Sequence, residues 1–320
     1  MAVTESGGQM SNIRPQKVLV TGASGFIGSA VVRHLAQAGV DVVATARTPS
    51  TTLEAELGMP VVLLDVMQEL LPFDGVQTLV HCATPNDIQS RATDGGLPLG
   101  VVGTHRLLEH AVSQGVRNII YLSTLQVYGT ELTGDIDETT PVACESMYGL
   151  NHYLGEEVCR FYAQQYGLNI VALRPSNVYG VPCVSTVNRD TLVPMCFVRE
   201  ARETGRVQLR SSGKQLRNFV STDEVAGVIS NLLDNFPKGF THINATSDWH
   251  VCIAEIAAMT GRAWQAVKNV PLDIQLLSDK PETPEAFTVS SRYVSPLMTK
   301  QASRQKMADV IKELIEIKNL

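Results

Sequence analysis

The sequence predicts an α/β protein, a doubly wound parallel sheet with a smaller C-terminal part. Three observations lead there. Short apolar runs alternate with helical periodicity as far as Pro175, a glycine-rich turn joins the first run to the first helix, and the alternation breaks down beyond Pro175. Consecutive parallel strands need crossovers that return over the sheet, so this rhythm implies helices on both faces.

Residues 17–21 (Lys-Val-Leu-Val-Thr) read as a short buried strand. A helix follows with Ile27, Val31 and Leu35 on one face, ended by Gly39. Residues 40–45, 60–66 and 77–83 supply three further strands, 98–114 a helix, 118–124 a fifth strand, about 146–166 a long helix and 169–174 a sixth strand. Beyond Pro175, glycines and prolines separate shorter elements, with helices near 193–202, 222–233, 251–259 and 303–317. The expected organisation is a polar leader over 1–15, a dinucleotide-binding domain over 16–175 and a mainly substrate-binding part over 176–320.

Composition narrows the function classes. A net charge of −6 lacks the basic excess of a nucleic-acid or anionic-membrane binder. No apolar run approaches the roughly 18 residues of a membrane span. Residues 1–15 have no apolar core of the kind a signal peptide carries. The six cysteines are widely spaced without a Cys-x-x-Cys pair, which argues for a reducing, cytoplasmic setting and against a metal site.

The turn after the first strand, Thr21-Gly22-Ala23-Ser24-Gly25-Phe26-Ile27-Gly28, carries the first chemistry. Gly22 suits a tight turn, Gly25 admits a close pyrophosphate, and Gly28 lets the helix approach the strand. Backbone N–H groups of Ser24, Phe26 and Ile27 at the helix start face the same phosphates. About 20 residues on, where an acid would hold the ribose 2′-OH of NAD, the chain has Ala46-Arg47. Arg47 suits a 2′-phosphate instead, so NADP(H) is favoured, with NAD(H) as the other candidate.

Further along, Ser123-Thr124-Leu125-Gln126-Val127-Tyr128-Gly129 closes the fifth strand, and Tyr148-Gly149-Leu150-Asn151-His152 opens the long helix. Together with the glycine turn, these segments resemble the extended short-chain dehydrogenase/reductases, a Rossmann-type family of nucleotide-sugar epimerases, dehydratases and ketoreductases. The resemblance covers about residues 17–260. It implies Thr124 and Tyr148 as the catalytic hydroxyls and Asp65-Val66 as the adenine-side pair, although Asp65 also suits a local cap. It implies His81 beneath the cofactor, with a structural role as the alternative.

One catalytic part departs from the pattern. The family places lysine where His152 stands, and no lysine occurs between Lys17 and Lys214 to replace it. A tyrosine titrates near 10 and needs a nearby cation to act at neutral pH. His152 lies one turn from Tyr148 on the same face and can donate to a ribose, with a charge conditional on a pKa near 6.5. Either it replaces the lysine with an altered pH profile, or the site binds a nucleotide without turnover; the retained Thr124 and Tyr148 favour the first.

The same resemblance points Asn177 and Arg217 at a nucleotide-sugar diphosphate, Val193 at the nucleobase and Gln126 at the sugar; Arg292, beyond the span of the resemblance, is a further candidate for a phosphate contact. Leu125 and Gln126 replace the Asp-Glu pair of the family's 4,6-dehydratases, and neither can act as an acid. Gln126 also stands where C3/C5 epimerases have cysteine. Asn218 replaces an aspartate and Gly100 an asparagine. The expected activity is NADPH-dependent reduction of a nucleotide-activated keto-sugar. A 4-epimerase and a catalytically silent NADP(H)-binding partner protein are the rivals, and a homodimer is implied.

Overall fold

A computed structural model of the protein describes residues 16–187, 189, 191–277 and 286–317. The leader expected over 1–15 lies outside the described residues. Seven strands form one parallel sheet in the spatial order Phe240–Ala245, Asn169–Pro175, Asn118–Leu122, Thr78–His81, Lys17–Thr21, Asp41–Ala46, Val61–Leu63. Strand residues alternate between two cores as the period of two demands. Val18, Val20, Ile120, Leu122, Val171 and Leu173 face one side, and Leu19, Ile119, Tyr121 and Ile170 the other. Helices Phe26–Gln37 and Thr222–Asp234 cover the first face; Thr104–Ser113 and Met147–Tyr166 cover the second. This is a Rossmann-type α/β fold.

Strand order reverses between Lys17–Thr21 and Thr78–His81, which opens a crevice at their carboxyl ends. The sixth and seventh strands show how the chain departs from a division at Pro175. Phe240–Ala245 pairs in parallel with Asn169–Pro175, so the edge strand of the seven-stranded sheet, with its covering helix Thr222–Asp234, comes from the second half. Only its C-terminal three residues are buried, so the segment carries no continuous apolar signature.

The remaining second half builds smaller sheets. Leu216–Ser221 lies between Asn177–Tyr179, its parallel neighbour, and His250–Cys252, its antiparallel one. The terminal helix Lys300–Glu316 packs on Ile253–Lys268. The helix expected over 98–114 is two elements: a π-helical turn over Pro98–Gly103 runs into the α-helix Thr104–Ser113. Among the described residues no helix is long and apolar enough to cross a membrane.

Candidate active site

The crevice holds a cavity of about 630 Å³, within the range of small-molecule sites. Its floor is the glycine turn. Gly22 has φ +72°, and a Cβ there would meet Ala83 N at 2.9 Å, so the turn lies directly against the neighbouring strand end. A Cβ on Gly28 would sit 2.1 Å from the Gly22 carbonyl oxygen. Helix Phe26–Gln37 therefore starts against the turn only because residue 28 is glycine, and its first turn, which has no side-chain cap, lines the cavity. Ser24, Gly25, Phe26 and Ile27 all line it.

Beyond the second strand of the sheet, Ala46 is buried and Arg47 is exposed on the cavity wall. The Arg47 side chain makes no hydrogen bond or ion pair among the described residues, which leaves its donors available. Asp65 and Val66 line the same wall. Asp65 Oδ1 accepts from Met67 N at 3.0 Å, so this carboxylate shapes its own turn.

At the other end, Thr124 caps the turn Leu125–Tyr128, its Oγ1 accepting from Gln126 N at 3.2 Å. With that lone pair engaged, the hydroxyl is free to donate towards Tyr148, whose phenol it favours in the charged form. Ser146 caps helix Met147–Tyr166 and so fixes Tyr148 in its first turn. Burial pushes the Tyr148 phenol above its ordinary value, against the lowering effects of Thr124 and Arg189.

His152 does not supply the charge expected of it. Its ring packs edge-on against Tyr148, with centroids 4.6 Å apart, and is 2 % exposed. Nε2 lies 3.2 Å from the Pro85 carbonyl, which can only accept, so Nε2 carries the proton. Nδ1, beside the Leu122 backbone, makes no hydrogen bond of ordinary geometry. Burial pulls the pKa down to about 4, overriding both carbonyls, and the imidazole is neutral across the physiological range. Beside the tyrosine ring His152 is thus a neutral neighbour rather than a cation. His81 is structural: it bridges the Thr21 and Thr104 hydroxyls (2.8 and 3.2 Å), with a pKa lowered to about 3 by burial and by His152.

These neutral imidazoles have a consequence for stability. Unfolded histidine binds its proton near pH 6.5, whereas these two resist protonation down to about pH 4 and 3. The unfolded chain therefore holds more protons in that window. Their contribution is complete above pH 6.5 and is lost as pH falls, by about 1.4 kcal/mol per unit for each histidine. Urea midpoints should drop accordingly, and His152→Gln should flatten the slope. An identical slope in the variant would contradict the neutral assignment.

Behind Thr124 lies a buried network that sequence reasoning did not single out. Arg174 donates from Nε and Nη2 to the two oxygens of Glu156 (2.8 and 2.5 Å), both side chains being fully buried. Ser123 Oγ donates to the same carboxylate at 2.5 Å, and Arg174 Nη1 to the Tyr128 hydroxyl at 2.7 Å. This ties the strand end that carries Thr124 to the helix that carries Tyr148. A signal existed: Tyr148, His152 and Glu156 recur every four residues on one helix face. The Gly100 departure has a steric reason. Asn151 donates to the Gly95 carbonyl at 2.8 Å, and its Oδ1 lies 1.9 Å from where a Cβ on residue 100 would be.

A second cavity of about 190 Å³ continues from the first, with Thr124, Gln126 and Asn177 in both walls and Arg217 in its own. Asn177 Nδ2 donates to the Asn218 carbonyl (2.9 Å), and Arg217 Nη1 to the Leu216 carbonyl (2.9 Å). No carboxylate among the described residues pairs with Arg217. Asn218 is buried and braces the 247–249 loop, donating to the Ser247 carbonyl and accepting from Ser247 N, a double role a carboxylate cannot fill. Two expected contacts lie elsewhere. Val193 packs on the hydrophobic core, and Arg292 is an exposed loop residue whose backbone N–H donates to Glu138; neither lines either cavity.

Comparison with known proteins agrees with this fold. The profile of the NAD dependent epimerase/dehydratase family matches residues 18–245. A "putative UDP-glucose 4-epimerase" of Methanocaldococcus jannaschii is 29 % identical over 65 % of this chain and 70 % of its own. A dTDP-4-dehydro-6-deoxy-D-allose reductase of a Streptomyces species is 27 % identical over 82 % of this chain and 85 % of its own. Among solved structures, a UDP-glucuronic acid 4-epimerase of Bacillus cereus, in complex with UDP-glucuronic acid and NAD, superposes with a TM-score of 0.73 at 22 % identity, covering 93 % of this chain and 100 % of that one. With a profile match running from the first strand of the sheet to the last, the chain belongs to the NAD dependent epimerase/dehydratase family.

Proposed function

We propose that the protein is an NADPH-dependent reductase of a nucleotide-activated keto-sugar. The observation that carries this reading is a single cavity with the Tyr148–Thr124 hydroxyl pair at one end and, at the other, a buried Ala46 beside an exposed, unpaired Arg47. The glycine turn fits a dinucleotide, since side chains at residues 22 and 28 would collide with backbone there. The similar Streptomyces reductase supports the direction of the chemistry.

When bound, the nicotinamide supplies the hydride that reduces the carbonyl carbon. Tyr148 gives its phenolic proton to the carbonyl oxygen and is left as phenolate. Thr124, already accepting from Gln126 N, donates to the oxygen that gains charge. Arg217 and Asn177 hold the substrate diphosphate, and Gln126, in the walls of both cavities, faces the sugar between them. The exposed Val102 and Phe161, on neighbouring helices, support a homodimer through that face, which sedimentation velocity would decide.

The cofactor assignment is tested by binding. NADPH should bind more tightly than NADH, and Arg47→Ala should remove most of the difference. The lost charge-assisted hydrogen bond corresponds to about 1.5–3 kcal/mol, at least about tenfold in Kd. Equal affinity of the parent for both cofactors would overturn it.

A further inference from the structure

Proton transfer from Tyr148 leaves a phenolate in a half-buried position, where negative charge is costly without a facing cation. The tyrosine's own helix does not provide one, because His152 is neutral and its Nε2 is committed to Pro85. Three basic side chains line the cavity: Arg47, Arg91 and Arg189. Arg47 is at the cavity's other end, beyond the second strand of the sheet. Arg91 is 78 % exposed and pairs loosely with Asp87 at 3.9 Å. Arg189 is different. Its side chain is only 24 % exposed, and Nη1 donates to Asp87 Oδ1 at 3.2 Å, which holds the guanidinium over the cavity. This bridge joins the segment after strand Thr78–His81 to the one before helix Met195–Thr204, 102 residues apart in sequence.

We infer that Arg189, tethered by Asp87, supplies the fixed positive charge facing the Tyr148 oxygen that the tyrosine's own helix lacks. The inference rests on Tyr148 being the proton donor of the proposed reaction. Asp87 stands two residues beyond Pro85, whose carbonyl holds the His152 ring that packs on Tyr148, so the Asp87–Arg189 bridge lies on the tyrosine's side of the cavity. Among the described residues, the groups that bear on the phenol are the Thr124 hydroxyl, the neutral His152 ring, Tyr121 from the sheet, Asp87 and Arg189. Arg189 lowers the phenol's pKa, and Asp87 raises it. Arg189 is a positioning residue that acts through the tyrosine, and its tether partly offsets it. The two members of one ion pair therefore act on Tyr148 with opposite sign, which separates electrostatics from mere bracing.

The experiment is an alkaline titration of the full chain labelled with 13Cζ-tyrosine, in which the Tyr148 resonance is the one missing from Tyr148→Phe. Arg189→Gln should move its titration up by about one pH unit, Arg189→Lys should leave it near the parent value, and Asp87→Asn should move it down. Shifts of the same sign in Arg189→Gln and Asp87→Asn, or no shift in either, would overturn the inference. If Arg189→Gln fails to fold, Asp87→Asn decides alone, with an upward or absent shift counting against it. The titration needs neither cofactor nor sugar. A protein that reduces no keto-sugar yet shows the opposed shifts would lose the reductase reading and keep this one.

Discussion

Tyr148→Phe is expected to abolish keto-sugar reduction while leaving NADPH affinity unchanged. The substitution removes one hydroxyl and keeps the ring that packs edge-on against His152, so the first turn of the helix and the cavity wall stay as they are. What is lost is the proton donor. Positioned general acids contribute about 10²–10⁴-fold, and no other group here replaces this one. His152 is neutral with its proton held on Pro85, and Gln126 cannot titrate at all. Thr124→Ala should cost less, about ten- to a thousandfold, since that hydroxyl steadies charge and delivers no proton of its own. Single-turnover rates with saturating NADPH would separate the two. A Tyr148→Phe protein within tenfold of the parent (roughly 1.4 kcal/mol) would place the proton donor elsewhere.

Gly28→Ala should have an effect of similar size by another route. The added methyl would sit 2.1 Å from the Gly22 oxygen and 2.8 Å from the Gly22 carbonyl carbon. Both are backbone atoms of the turn proposed to cradle phosphate, so no side chain can swing aside. Either the helix retreats or the turn moves. Overpacking of this kind costs about 1–3 kcal/mol of stability. A displacement of about 1 Å at the cradle is worth about a hundredfold in function. Calorimetric NADPH binding, beside a thermal melt of the same sample, should show affinity falling further than stability accounts for. Parent-like affinity would mean that the phosphates are held elsewhere.

Much of this was legible in the chain because local chemistry dictated it. The glycine turn announces itself between an apolar strand and an amphipathic helix, and the structure explains Gly22 and Gly28 by close backbone approach. The strands over 17–21, 118–122 and 169–175 carry short apolar runs at 18–20, 119–122 and 170–173 because both their faces are buried. What was not legible depends on distant neighbours. Strand Phe240–Ala245 is half exposed and polar, so only its place beside Asn169–Pro175 makes it part of the sheet. The charge state of His152 follows from the packing of Pro85 and Leu122 around it. Asp87 and Arg189 meet across 102 residues of chain. Val193 was expected by resemblance and Arg292 by its charge alone; the first packs on the core and the second lies in an exposed loop.

Where the cofactor's hydride goes separates reduction from epimerisation. The protein would be mixed with 4-deuterated NADPH and a 4-keto-hexose nucleotide, and the product analysed by mass spectrometry and NMR. A reductase consumes one NADPH per product and leaves one deuterium on the former carbonyl carbon. A sugar interconverted without deuterium and without loss of NADPH absorbance would contradict the account and identify an epimerase instead.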